Sequence, residues 1–124
     1  MTPNPYTITA DQTLAVAHNM MRERNLRHLP VMRGGKLVGV VSQRDLYFLD
    51  AIAGNDATFD RVINAMTSEV YTVGPEEDLA EVAKVMAENR YGCAVIVDGL
   101  HVLGIFTSTD ALALLAEGGT KRRR

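Results

Sequence analysis

Gly39-Val40-Val41-Ser42-Gln43-Arg44-Asp45 returns 65 residues further on as Gly104-Ile105-Phe106-Thr107-Ser108-Thr109-Asp110. Both copies read glycine, two strand-forming apolar residues, a hydroxyl, two variable positions and an aspartate. A hydroxyl followed three residues later by a carboxylate, where a strand gives way to a helix, makes a capping box. The same pair suits a second chemistry. The first N–H groups of a helix lack intrahelical partners and the dipole adds positive potential, which together seat a phosphate. Ser42 or Thr107 would donate to a phosphate oxygen, and Asp45 or Asp110 would accept from both hydroxyls of a ribose. Gly39 and Gly104, having no side chain, would let a ligand approach the backbone. The motif by itself leaves capping and ligand binding both open.

Working outward, the offset of 65 extends without a gap over residues 1–46 and 66–111, with 11 identities in 46 positions. Pairs such as Ile8/Val73, Val31/Ile96 and Leu37/Val102 keep their class. Each copy predicts the same elements. Residues 6–9 and 71–73 are short, β-prone and bounded by turn-formers. Thr13 and Asp78 are N-caps for amphipathic helices, with Leu14, Ala17 and Met21 on one buried face and Leu79, Val82 and Met86 on the other. Polar residues between them, Arg22 included, face water. Hairpins follow: 28–32 with 37–41, and 93–97 with 101–106, each turning at glycine. Runs such as Ala94-Val95-Ile96-Val97 fit strands covered on both faces. Helices 45–53 and 110–116 close the copies. A turn at 53–56 and a short helix at 59–65 join them. The predicted fold class is α+β: two pseudo-symmetric β-α-β-β-α repeats, packed face to face. The expected domains are 1–54, 55–117 and a disordered basic tail at 118–124.

Composition bounds the function. The 124 residues are 47% hydrophobic and 23% charged, ordinary for a globular chain long enough to bury a core. No apolar run approaches the ~20 residues of a membrane span. The N-terminus lacks the pattern of a signal peptide, and a single cysteine fits a reducing compartment, which points to the cytoplasm. The net charge of −2 hides an asymmetry: without Lys121-Arg122-Arg123-Arg124, nine basic residues stand against 15 acidic ones, a balance of −6. Such a body is a poor footprint for nucleic acid. His18, His28, His101 and Cys93 show no metal-ligand spacing. Cys93 lies in an apolar strand, where thiols are inert, and no catalytic residue is expected.

This order of elements, with both motifs, resembles a tandem pair of CBS domains, a Bateman module. The matching residues are Met1-Thr2-Pro3-Asn4-Pro5, Arg27-His28-Leu29-Pro30-Val31, Gly39 to Leu46, Val62-Ile63-Asn64-Ala65-Met66-Thr67, and Gly104 to Asp110. The resemblance implies a regulatory module and not an enzyme, with no required cofactor. Its two clefts would bind an adenosine-containing ligand such as AMP, ADP, ATP or S-adenosylmethionine, and modules would associate as homodimers, acting on an effector protein in trans. It also implies that each cleft joins the motif of one repeat to the first strand and hairpin start of the other. Thr107 and Asp110 would then face Tyr6, Thr7, Arg27, His28 and Pro30. Ser42, Asp45 and Arg44 would face Tyr71, Thr72 and Cys93. Arginine matches phosphate well, so the cleft with Arg27 is expected to be the tighter. The alternative is a ligand-free dimerisation or protein-interaction module.

Overall fold

The computed structural model describes residues 2–3, 6–52 and 60–117. They divide into two compact units, Pro5–Val70 and Met1–Asn4 with Tyr71–Arg124. The predicted elements at 53–56, the start of the predicted helix at 59–65 and the tail at 118–124 lie outside the described residues.

In the unit Pro5–Val70 the chain runs β2 (Ile8–Thr9), α1 (Leu14–Arg24), β3 (His28–Arg33), β4 (Lys36–Ser42) and α2 (Gln43–Ala51), preceded in the chain by β1 (Thr2–Pro3) of the other unit. β2 pairs parallel to β3, and β3 antiparallel to β4, giving the order β2-β3-β4. Thr13 caps α1 through its side chain, as expected, and Asn25 ends the helix in the left-handed region at φ 56°. The hairpin turns at Gly34 and Gly35, φ 58° and 79°. Positive φ at both central residues matches the twist of the flanking strands. Leu14, Ala17 and Met21 of α1 meet Leu29, Val31, Val41, Leu46 and Val62 in one core.

The second unit repeats this with β5 (Thr72–Val73), α3 (Leu79–Asn89), β6 (Cys93–Asp98), β7 (His101–Thr107) and α4 (Ser108–Ala116). Asp78 caps α3, and Arg90 takes the left-handed position at φ 60°. Its core is smaller: Val73, Val82, Met86, Ala94, Ile96 and Phe106, with Leu79 packed at the edge. α4 buries no residue. In both hairpins the register slips at the same place, between Val31 and Met32 and between Ile96 and Val97. Apolar residues on both faces of the strands are buried: Val95 and Ile105 as well as Ala94, Ile96 and Phe106. That is why these runs read as continuous rather than alternating.

Three differences from expectation concern boundaries. The helices after the motifs begin at Gln43 and Ser108, because Ser42 and Thr107 are themselves the N-caps. Between the repeats the described segment holds only a 3-10 turn, Val62–Asn64. Its neighbours are laced to the first repeat by Leu14 N–H to Asp60 O (3.0 Å), Val62 N–H to Gln12 O (2.8 Å) and Ile63 N–H to Ala10 O (3.0 Å). The third is β1, which the sequence reading does not predict. Thr2 pairs with Ile105 and Pro3 with Gly104 on β7, and, at the same offset, Thr67 bridges Val40 on β4. Each repeat's leading segment therefore edges the sheet built from the other repeat.

Candidate functional site

Ser42 ends β4 with extended backbone, φ −108° and ψ 161°, and so aims its hydroxyl at the first turn of α2. Its Oγ accepts from Asp45 N–H at 3.0 Å, and Asp45 Oδ2 accepts from Ser42 N–H at 2.9 Å. In the other unit Thr107 Oγ1 accepts from Asp110 N–H at 3.1 Å, and Asp110 Oδ2 from Thr107 N–H at 2.9 Å. Both capping boxes are complete, and all four side chains are half-buried. A further bond is shared. Gln43 N–H donates to Arg27 O at 2.8 Å, and Ser108 N–H to Gly92 O at 3.1 Å. The first and third N–H groups of each helix are thus satisfied by the protein. Among the described residues the second, on Arg44 and Thr109, has no such partner.

The space beside Gly39, which the sequence reading offers to a ligand, is taken by the chain. A β-carbon there would stand 2.6 Å from Met66 Sδ and 2.8 Å from Thr67 O. The glycine is required by the close approach of this segment to β4.

His28 lies opposite Ser42 in the β3–β4 ladder. Burial lowers its pKa below the usual 6.5; Asp45 opposes this, while Arg27 and Arg44 add to it. His28 is therefore neutral at pH 7 and offers a ring nitrogen, while positive charge at this end comes from the exposed Arg27 and Arg44. At the equivalent place Cys93 lies opposite Thr107, and burial pushes its thiol up to about 11. That thiol is protonated and unreactive at neutral pH.

Within each unit, then, the motif meets the hairpin of its own repeat. Ser42, Asp45 and Arg44 gather with Arg27 and His28; Thr107 and Asp110 gather with Cys93. Pro30 is buried opposite Val40 on β3. Tyr6 and Thr7 are exposed ahead of β2, with the Arg24 guanidinium 4.3 Å from the centre of the Tyr6 ring. Thr72 lies opposite Val95 on β5, and the Tyr71 ring is 5.2 Å from that of Tyr91.

One cavity, in the unit Pro5–Val70, involves residues the sequence reading leaves on a solvated face. It has a volume of about 290 Å³ and lies between α1 and α2, lined by His18, Arg22, Asn25, Arg27, Gln43 and Tyr47 together with Met21 and Leu26. Helical periodicity puts Arg22 on the polar side of α1 but does not reveal that α2 makes this side concave. Among the described residues no group of three or more His, Cys, Asp or Glu is arranged to hold a metal, and no helix is long and apolar enough to cross a membrane.

The CBS-domain family matches residues 1–51 and 61–117. Among curated proteins, inosine-5′-monophosphate dehydrogenase of Thermoplasma acidophilum is 32% identical over 86% of this chain, which spans about a fifth (21%) of that enzyme. Among solved structures, a hexameric CBS-CP12 protein from bloom-forming cyanobacteria is 31% identical with a TM-score of 0.84, covering 100% of this chain and 72% of that one. The CBS domain pair of protein MJ0100, in complex with 5′-methylthioadenosine and S-adenosyl-L-methionine, is 28% identical with a TM-score of 0.79, covering 94% of this chain and 92% of that one. With two matched segments and two units of β-α-β-β-α, the chain belongs to the CBS-domain family as a tandem CBS pair.

Proposed function

We propose that the chain is a regulatory module that binds an adenosine-containing ligand, AMP, ADP, ATP or S-adenosylmethionine, in clefts formed by both repeats. The observation that carries this reading is the doubled motif. In both units a half-buried hydroxyl and carboxylate converge at a helix start where one N–H group has no partner among the described residues. The reading is supported by a CBS pair 28% identical to this chain that holds two adenosine derivatives.

The two clefts differ. The tighter one combines Thr107 and Asp110 with Tyr6, Thr7, Arg27, His28 and Pro30, because Arg27 supplies a guanidinium for phosphate. The weaker combines Ser42, Arg44 and Asp45 with Tyr71, Thr72 and Cys93, where the neutral thiol offers little to an anion. Ligand favouring one arrangement of the repeats shifts the population toward it, and a homodimer of modules passes that shift to an effector protein in trans. The cytoplasm suits its single cysteine.

Calorimetric titration with AMP, ATP and S-adenosylmethionine tests the assignment. Asp110→Ala abolishes the tighter event and Asp45→Ala leaves it; the opposite outcome reverses the two clefts.

A second reading has its own observation. Tyr47 and Phe48 on α2 are 58% and 70% exposed, and Leu112 and Leu115 on α4 are 66% and 57% exposed, which suits a module that works by association alone. Melting discriminates the two. A ligand at 100 times its dissociation constant adds about 2.7 kcal/mol, and a melting point unmoved by every adenosine ligand at millimolar concentration supports association alone.

A further inference from the structure

The cavity between α1 and α2 lies within one unit, and its lining shares only Arg27 with the proposed clefts. Its polar chemistry is one-sided. Arg22 donates to Asn19 Oδ1, a neutral partner, and the Arg27 side chain has no hydrogen bond or ion pair among the described residues. His18 Nε2 is 2.9 Å from Asp50 Oδ2, and it is the lining group whose partner is a carboxylate. No Asp or Glu lines the cavity. Two guanidinium groups, an imidazole, the amides of Asn25 and Gln43 and the Tyr47 phenol thus surround a space with no counter-charge in its lining.

The repeat gives an internal comparison. At the offset of 65, His18, Arg22, Arg27 and Tyr47 correspond to Ala83, Ala87, Gly92 and Leu112. The apolar member Met21 corresponds to Met86 and is kept. Packing of α1 on the hairpin therefore needs Met21 but neither His18 nor Arg22, since α3 does the same work with Ala83 and Ala87. Asn25 and Gln43 correspond to the polar Arg90 and Ser108, so the addition to the first repeat is His18, Arg22, Arg27 and Tyr47, gathered around one concavity.

The geometry points to a second, separate anion site in the first repeat, taking a phosphate group either free or carried on a small sugar. Guanidinium forks match phosphate oxygens, amides supply further donors, and the volume lies at the lower end of small-molecule sites.

The test uses the full ¹⁵N-labelled chain titrated with inorganic phosphate and, separately, with ribose 5-phosphate, at ionic strength held constant with chloride. Saturable shifts of the Asn25, Leu26 and Gln43 amides are expected with at least one probe. Saturation by both marks a site for phosphate itself, and by ribose 5-phosphate alone one that needs the sugar. Arg22→Gln, an exposed position that keeps the aliphatic stem, raises the dissociation constant about 10-fold, the loss of one charge-assisted bond. Asp110→Ala leaves it unchanged. The inference is overturned if neither probe saturates below about 20 mM, a bound weaker than any useful site. It is also overturned if Arg22→Gln binds as well as the parent, or if the shifts spare Asn25 and Leu26 and gather instead on Thr107–Asp110, vanishing with Asp110→Ala, or on Ser42, Arg44 and Asp45, vanishing with Asp45→Ala. The shift map of the unsubstituted chain decides the matter without any variant, and it separates this site from the clefts.

Discussion

Thr67 lies against Gly39 so closely that its carbonyl oxygen is 2.8 Å from where a β-carbon on residue 39 would stand. Two backbone bonds hold it there: Val40 N–H to Thr67 O at 3.0 Å and Thr67 N–H to Val40 O at 2.9 Å. Backbone cannot yield as a flexible side chain can, so Gly39→Ala must push residues 66–67 off the edge of β4 or bend the strand. Overpacking of this kind costs about 1–3 kcal/mol. Urea unfolding of Gly39→Ala measures it, with Gly34→Ala unsuited as a control because its φ is 58°. A variant as stable as the parent would mean that the segment leaves β4 without cost.

The capping boxes make a paired prediction. Ser42→Ala and Thr107→Ala each remove one acceptor, for the N–H of Asp45 and of Asp110 respectively. Each is expected to lose about 1 kcal/mol. Leu46 on α2 is wholly buried, whereas α4 buries no residue. α4 therefore relies more on its cap, and amide hydrogen exchange in Thr107→Ala should show local fraying of α4 before global unfolding. In Ser42→Ala the core anchor keeps α2 protected up to the global transition.

The offset of 65 carried far because the physics it encodes is local. Thr13 and Asp78 cap, Gly34 and Gly99 turn, and Ser42 and Thr107 start helices through contacts within three residues. β1 escaped notice for the opposite reason. A two-residue strand has no periodicity, and Thr2 owes its conformation to Ile105, far along the chain. The site divides the same way. Its hydroxyls and carboxylates were legible as a motif, but the neutrality of His28 depends on burial, which is tertiary. Gly39 reads in the sequence as room for a ligand, whereas Met66 and Thr67 fill that space, a contact only the tertiary fold makes.

His28 makes stability depend on pH. Burial holds its pKa in the folded chain below the unfolded value of 6.5, so below pH 6.5 the unfolded state binds the proton first. Stability therefore rises with pH while the unfolded histidine is losing its proton, and falls as the pH drops from about 6.5 toward the folded pKa. Unfolding free energies measured from pH 5 to 7.5 should show this positive slope, reduced in His28→Asn. If a phosphorylated ligand binds beside this ring, adding it should raise the His28 pKa, visible in the imidazole resonances. An unchanged slope in His28→Asn would assign the pH dependence to other groups.

Arg90 offers a gain instead of a loss. It occupies the left-handed position after α3 at φ 60°, where the first repeat places Asn25 at φ 56°. A side chain with a β-carbon costs about 1–2 kcal/mol in that region, asparagine less than arginine, and glycine nothing sterically. Arg90 N–H still closes the helix onto Met86 O, so the conformation is held by the cap bond against the preference of the residue. Arg90→Gly keeps the bond and removes the strain, at the cost of greater freedom in the unfolded chain. The net expectation is a gain of about 0.5–1 kcal/mol, read as a higher denaturation midpoint with an unchanged denaturant slope. Arg90→Val, β-branched and least tolerant of positive φ, should move the midpoint the other way. Were both variants neutral, the end of α3 would not hold its left-handed turn in solution.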